Sequence, residues 1–270
     1  MQIFGVEIHK LKYKEFFREI TKLEKQVIVF TPNPEILLKT RTDKEFKGLL
    51  EKANYLTSDG IGLYLAYQIL NNNFGRFLNT ILLPYFLFNL FFRRSYLYKK
   101  YGERICGSDL TRDLIDFACI SGTKIVILDL YNPTDTKKVE SQKVFSDRLK
   151  VKFPKLDFDY YVFNPEKKDK IIETIKQSDA KILFSTLGMK AQEQSVVEIM
   201  ERCENIKLGL GVGSSFDYFI GFQKRAPKFW RILGLEWLYR LLTGPRKLTR
   251  FKRLWNAIFI FIFTVIKNKK

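Results

Sequence analysis

The sequence predicts an α/β protein: a mainly parallel sheet with helices on both faces, followed by a basic helical appendage. Three observations predict it. Short apolar runs alternate with segments of helical spacing along most of the chain. The runs, such as Val27–Phe30 and Ala180–Thr186, are continuously apolar rather than alternating, as strands covered on both faces must be. From Lys224 the composition changes: residues 224–270 hold 13 Lys and Arg against one acid, Glu236, for a net +12 of the chain's formal +18. The expected division is therefore a domain over 1–223, with an apolar insertion at about 77–100, and an appendage over 224–270.

Taken in order, residues 1–26 read as a short strand from Ile3 to Ile8 and a basic amphipathic helix around Lys12 to Leu23. Val27–Phe30 is a buried strand that ends in the polar turn Thr31-Pro-Asn-Pro-Glu35. Glu35 to Leu50 has helical spacing and few breakers. A second strand, Ala53 to Leu56, runs into Ser58-Asp-Gly-Ile-Gly62. The run from Phe77 to Phe92 is apolar on nearly all sides and is interrupted by Pro84. It is shorter than the roughly 20 residues a spanning helix needs. Bordered by Arg93-Arg94 and Lys99-Lys100, it reads either as a buried core helix or as an interfacial membrane segment.

Beyond Arg104-Ile-Cys-Gly-Ser-Asp109 the rhythm resumes. It predicts a helix over Leu110–Ile120, a strand over Lys124–Leu130 and a charged amphipathic helix over Thr134–Val151. A strand over Asp157–Phe163, a helix from about Glu166 to Gln177 and the strand Ala180–Thr186 follow. The last strand, Ile206–Leu210, runs into Gly211-Val-Gly-Ser-Ser-Phe-Asp217. In the appendage, Trp230, Trp237, Tyr239, Phe251, Trp255 and Phe263 are interleaved with basic residues, the composition of a helix lying in a membrane interface. A solvated basic face over a core-packed aromatic stripe is the competing reading. Base stacking fits less well, because the apolar content exceeds what stacking needs.

Composition narrows the function classes. A chain of 270 residues, 46% of them hydrophobic, builds one large domain, or one with an appendage, and is not disordered. The charge of +18 points to an anionic partner: nucleic acid, a phospholipid surface or a phosphorylated substrate. Cys106, Cys119 and Cys203 form no CxxC pair, and with the lone His9 they suggest neither a disulfide framework nor a zinc site. Cys106 reads as a small buried hydrophobe and His9 as a surface residue. Met1-Gln-Ile-Phe leads straight into a strand-like segment, so no signal peptide is expected and the compartment is predicted to be the cytosol.

The two strand–turn–helix units place their polar turns on one edge of a parallel sheet, where open α/β folds bind ligands. Small residues there let backbone N–H groups approach an anion, and Asp59 beside them can take a proton from a hydroxyl. The plainer reading of the same residues is a tight turn with a turn-forming Asp.

Six blocks occur in order: Thr31-Pro-Asn-Pro-Glu35, Ser58-Asp-Gly-Ile-Gly62, Arg104-x-x-Gly107-x-Asp109-Leu110, Leu187-Gly188-x-x-x-Gln192-Glu193, Gly211-Val-Gly-x-x-Phe-Asp217, and Lys224-Arg-Ala-Pro227 with Gly234-Leu-Glu-Trp-Leu-Tyr-Arg240. Together they resemble the WecG/TagA/CpsF family (glycosyltransferase family 26) over about residues 3 to 253. Members transfer N-acetylmannosamine, its uronic acid or a related sugar onto polyprenyl-diphosphate-linked N-acetylglucosamine. The resemblance implies a Rossmann-like domain, an inverting transfer that needs no metal or other cofactor, and a basic appendage that closes over the active site at the membrane. It makes Asp59 the expected base. Arg104, Arg225, Arg231 and Arg240, with the turn amides at Gly60, Gly62, Gly211 and Gly213, are expected to hold the diphosphate of a UDP-sugar. Thr31 and Asn33 match pocket positions, with a capping Thr and an Asn in a turn as the alternative. Gln192 and Asp217 are expected at the nucleotide or sugar, and a helix N-terminal carboxylate is the other account of Asp217.

Two departures stand out. Lys190-Ala191 replaces the usual Pro-Lys, and Ser195 stands where an aromatic is common, which leaves the donor sugar open. The connection between Gln68 and Arg104 is longer than usual and is read as a second membrane contact. The expected partners are thus a UDP-sugar, a polyprenyl-diphosphate-linked acceptor and an anionic membrane surface, with no nucleic acid and with self-association left open. The expected location is the inner face of the cell membrane. A hexose-transferring relative and a non-catalytic membrane- or nucleic-acid-binding protein are the alternatives.

Overall fold

The computed structural model describes residues 1–130, 141–243, 251 and 256–269. An N-terminal hairpin of β1 (Gln2–Ile3) and β2 (Val6–Glu7) precedes six sheet strands: β3 (Val27–Phe30), β4 (Tyr55–Leu56), β5 (Ile125–Leu130), β6 (Phe158–Phe163), β7 (Ile182–Ser185) and β8 (Leu208–Gly211). These six form one parallel sheet in the order β4-β3-β8-β7-β5-β6. Alternate side chains of each strand feed opposite faces. Ile125 and Ile127 join Leu114, Phe145 and Leu149 on one face, and Val126 and Leu128 join Ile172, Val196 and Met200 on the other. Burial on both faces is why the inner strands are predominantly apolar, while the half-buried edge strand β6 carries Asp159. At Gly209 the helix Ala191–Arg202 comes so close that a Cβ would lie 2.8 Å from Val196 Cγ1.

The predicted α/β architecture is the observed one, and the differences are local. The strand expected over Ile3–Ile8 folds back on itself, because Phe4 and Gly5 adopt positive φ in a two-residue turn. The single helix expected over Glu35–Leu50 is two, Pro34–Lys39 and Lys44–Glu51. Asp43 ends the first path by accepting from Phe46 N–H at 2.9 Å and capping the second. His9 is no free surface residue. Its N–H donates to Leu56 O at 2.9 Å and its Nδ1 accepts from Leu56 N–H at 3.0 Å, which covers the open edge of β4. The helix expected over Thr134–Val151 is observed as Ser141–Lys152, and its first residues lie outside those described.

The run from Phe77 to Phe92 is buried on one side, as a core helix would be, and exposed on the other. It forms helices Arg76–Ile81 and Leu83–Phe92, followed by Arg94–Tyr101. Phe86, Leu90 and Leu97 are buried, while Phe77 and Phe92 are 80% and 75% exposed.

In the appendage, helices Lys228–Ile232 and Glu236–Thr243 come first. Trp255 and the basic cluster from Arg246 to Arg253 lie outside the described residues. The last helix, Phe261–Asn268, returns to the main domain. Phe261, Ile262, Val265 and Ile266 are buried there, with Phe261 edge-on to Phe4 at 5.7 Å, and the helix packs on Gly62–Leu70. Lys269 closes this contact. Its Nζ donates to the carbonyls of Ile69 and Asn72 at the end of that helix, and burial lowers its pKa. Among the described residues no helix is long and apolar enough to cross a membrane.

Candidate active site

The polar turns singled out in the sequence follow β4, β3, β8 and β7, four consecutive strands of the sheet. Backbone bonds join the first two turns: Thr57 N–H donates to Phe30 O at 3.0 Å and Asp59 N–H to Pro32 O at 3.4 Å. Gly60 has φ +95°, a conformation that side chains resist, and Gly62 opens the helix Gly62–Leu70. Asn33 Oδ1 accepts from Ile36 N–H at 3.0 Å, so Asn33 is itself a helix cap, which occupies that oxygen. Thr31 faces the start of the helix Gly107–Ser121, where a Cβ on Gly107 would lie 2.8 Å from Thr31 Oγ1.

The loop carrying Asp59 is held from behind. Ile105 N–H donates to Ser58 O at 3.1 Å, Thr57 Oγ1 donates to Ile105 O at 3.2 Å, and the Ser58 and Tyr67 hydroxyls bond at 2.8 Å. This brings Arg104 and Cys106 beside Asp59. Burial works against the charge of Arg104, yet Cys106, Tyr98, Asp59 and Asp109 around it hold its pKa above the ordinary value. Cys106 is buried as expected but is more than a small hydrophobe. Burial first, and then the charge of Asp59, push its thiol well up, and it hydrogen-bonds the Asp59 side chain. Its role was not readable in the sequence, because nothing in the spacing links residue 106 to residue 59.

The segment after Lys224 lies over this group. Arg225 Nη2 donates to Ser108 Oγ at 3.0 Å and to Asp109 Oδ1, and Arg231 Nη1 reaches the same carboxylate at 3.4 Å. Arg104 Nη2 donates to Arg231 O at 2.9 Å, and Arg94 donates to Ile232 O. Gly234, at φ +68°, sits so close to the Asp59 loop that a Cβ would be 2.1 Å from Ile61 Cγ2. Arg225 and Arg231 are therefore gathered at Asp109, with Arg104 between that carboxylate and Asp59, and Arg225 Nε is buried with no hydrogen-bond partner among the described residues. Arg240 belongs to the helix Glu236–Thr243, and its side chain lies outside those described.

The remaining expected residues gather at β7 and β8. Gln192 Oε1 accepts from Gly213 N–H at 2.9 Å and its Nε2 donates to Glu193 at 2.7 Å. A Cβ on Gly211 would meet the Gln192 side chain at 3.1 Å. Asp217 accepts from Gln223 Nε2 at 3.0 Å in the first turn of a short helix, Ser215–Phe219. Next to them stands Asp129, which the sequence reading passed over. It accepts from Thr186 Oγ1 at 2.6 Å and from Tyr160 OH at 2.7 Å. Burial and then Asp129 raise the Tyr160 pKa. A lone Asp near the end of an otherwise apolar strand was the available signal. β5 and β7 are neighbours whose following helices, Ser141–Lys152 and Ala191–Arg202, pack on opposite faces, the arrangement that opens a crevice.

Among the described residues no three His, Cys, Asp or Glu side chains are grouped as a metal would require. The sequence matches the Glycosyl transferase WecG/TagA/CpsF family over residues 1–89 and 88–270. The chain belongs to this family. It is a glycosyltransferase, with a sugar donor and an acceptor as its substrates.

The structure gives the departures of this WecG/TagA/CpsF glycosyltransferase at Lys190 and Ser195 a local reason. Lys190 takes φ +73°, a backbone that proline cannot adopt, and its Nζ pairs with Asp43 at 3.0 Å and Glu45 at 2.8 Å. Ser195 is buried and bonds Ser185 Oγ at 2.8 Å, in a space that would not take an aromatic ring without rearrangement.

Proposed function

We propose that this glycosyltransferase moves N-acetylmannosamine or a related sugar, with inversion, from a UDP-sugar to polyprenyl-diphosphate-linked GlcNAc at the inner face of the membrane. The product would serve cell-surface polysaccharide or teichoic-acid-type glycan synthesis. One observation carries the reading: Asp59, in the turn after β4, stands beside Arg104, which also holds the Arg231 carbonyl of a segment whose Gly234 lies against the Asp59 loop and whose Arg225 and Arg231 meet at Asp109. Asp59 takes the proton of the acceptor hydroxyl as that oxygen attacks the anomeric carbon. The bond from that carbon to the UDP phosphate oxygen breaks, and UDP leaves with the electron pair. Arg104, Arg225, Arg231 and Arg240 meet its charge without a metal, helped by N–H groups at Gly60, Gly62, Gly211 and Gly213.

Thr31 and Asn33 are assigned to the sugar, and Gln192 and Asp217 to the donor at β7 and β8. A hexose donor would use the same groups. Incubation with a panel of UDP-sugars and a short-chain lipid-diphosphate-GlcNAc, followed by mass spectrometry and anomeric analysis, tests the reading. One donor should give an inverted disaccharide product. Donor hydrolysis or no product across the panel would reject it.

A further inference from the structure

The reaction makes no use of the helices between Phe74 and Tyr96, yet they carry most of the exposed aromatic side chains of the main domain among the described residues. Phe77, Ile81, Tyr85, Phe88 and Phe92 all point to solvent, and Phe88 stacks on Phe92 at 4.8 Å. Poor packing does not account for this. Beneath them Asn79 Nδ2 donates to Phe74 O at 2.7 Å and Gln68 Nε2 to Phe86 O at 3.1 Å. Asn89 Nδ2 also donates to Gln68 Oε1 at 3.0 Å. The helices are thus locked in register with part of their apolar surface outward.

Charge indicates what covers that surface. From Gly60 to Gly102 the sequence contains no Asp or Glu, while Arg76, Arg93, Arg94, Lys99 and Lys100 border the apolar run. The surface continues onto the final helical stretch, where Phe259 and Phe263 are exposed and Arg76 Nε donates to Lys269 O at 3.1 Å.

We propose that this face is an in-plane membrane anchor, seated in the headgroup and upper acyl region of an anionic bilayer. The helix Leu83–Phe92 has 10 residues. It is therefore about 15 Å long, half of the roughly 30 Å of hydrocarbon, so it lies along the interface and does not cross it. The inference extends the membrane reading above by placing most of the apolar anchor in this internal unit, with only the end of the basic tail beside it. It needs no particular sugar or acceptor.

Full-length protein is sedimented with phosphatidylcholine vesicles, with and without phosphatidylglycerol, at about 0.1 M and about 0.5 M salt. Wild type should bind at both salts, more tightly with the anionic lipid. The double variant Phe77→Ser/Phe92→Ser should lose at least roughly tenfold in partitioning at the higher salt, where apolar contact dominates. Its thermal midpoint and its transfer to a soluble acceptor should not change. Lys99→Gln/Lys100→Gln should weaken binding chiefly at low salt. Equal partitioning of wild type and the Phe variant would overturn the proposal. So would wild-type dimers, dispersed by the Phe substitutions, that bind no vesicle, since a second copy would then be the occupant. If no donor is ever transferred but the vesicle contrast persists, the anchor stands and the catalytic reading falls.

Discussion

Arg225 and Asp109, 116 residues apart in sequence, form the ion pair that ties the C-terminal segment to the first turn of the Gly107–Ser121 helix. Asp109 also takes Arg231, so one carboxylate holds two of the arginines assigned to the diphosphate. Asp109→Ala should free both. We expect faster tryptic cleavage between Lys224 and Arg231 and a fall in transfer of roughly tenfold, the scale of one charge-assisted hydrogen bond. Unchanged cleavage would mean that the pair does not hold the segment.

Asp59→Asn should leave the fold and donor binding in place and cut kcat by about 10²–10⁴-fold, the usual worth of a general base. Calorimetric donor binding and steady-state transfer measure the two separately. Near-normal turnover removes Asp59 from the mechanism.

Gly234→Ala should lift the segment off the Asp59 loop, because its Cβ would lie 2.1 Å from Ile61 Cγ2. Activity should drop at least tenfold, by roughly the amount a displaced arginine costs. Adding Ile61→Ala should restore part of it. The remainder reflects the φ of +68°, which costs an alanine about 1 kcal/mol. A single variant as active as wild type would mean that the closed arrangement is not needed for transfer.

Deleting residues 256–270 should destabilise the whole domain as well as weaken any membrane contact. It strips Phe261, Ile262, Val265 and Ile266 from the core. At about 1.5–3 kcal/mol each this loss is comparable with the entire stability of a domain. A thermal midpoint within a few degrees of wild type would contradict the packing. Cutting before Lys224 therefore does not isolate the role of the tail, and charge substitutions are the cleaner probe.

Added EDTA is expected to leave transfer largely unaffected, since arginines and turn amides are assigned the charge of the leaving diphosphate. Loss of activity that Mg²⁺ or Mn²⁺ restores would overturn that assignment.

The parallel sheet was legible because residues 27–30, 125–128 and 182–184 are apolar without alternation, and burial on both faces demands this. The turns after β3 and β4 were legible because Pro, Gly and Asp mark them. Contacts between distant residues were not. No local pattern shows that Cys106 meets Asp59, that Asp129 receives Thr186 and Tyr160, or that Phe261 returns to Phe4. The helix break at Asp43 was within reach of capping rules, whereas the inward seat of the last helix competed with an equally good amphipathic reading of its aromatics.

The pairing of β3 with β8, Val27 opposite Leu208, sets an order for biosynthesis. The first sheet strand to leave the ribosome has its inner edge filled only by the last. At about 5–20 residues per second, β3 waits on the order of 10–40 s with one row of backbone groups unpaired. A nascent chain stopped anywhere before Leu208 carries that open edge in the middle of what will become its sheet. Such fragments are expected to be chaperone clients or aggregates rather than smaller folded proteins, so split versions of this enzyme should assemble only when both halves are made together.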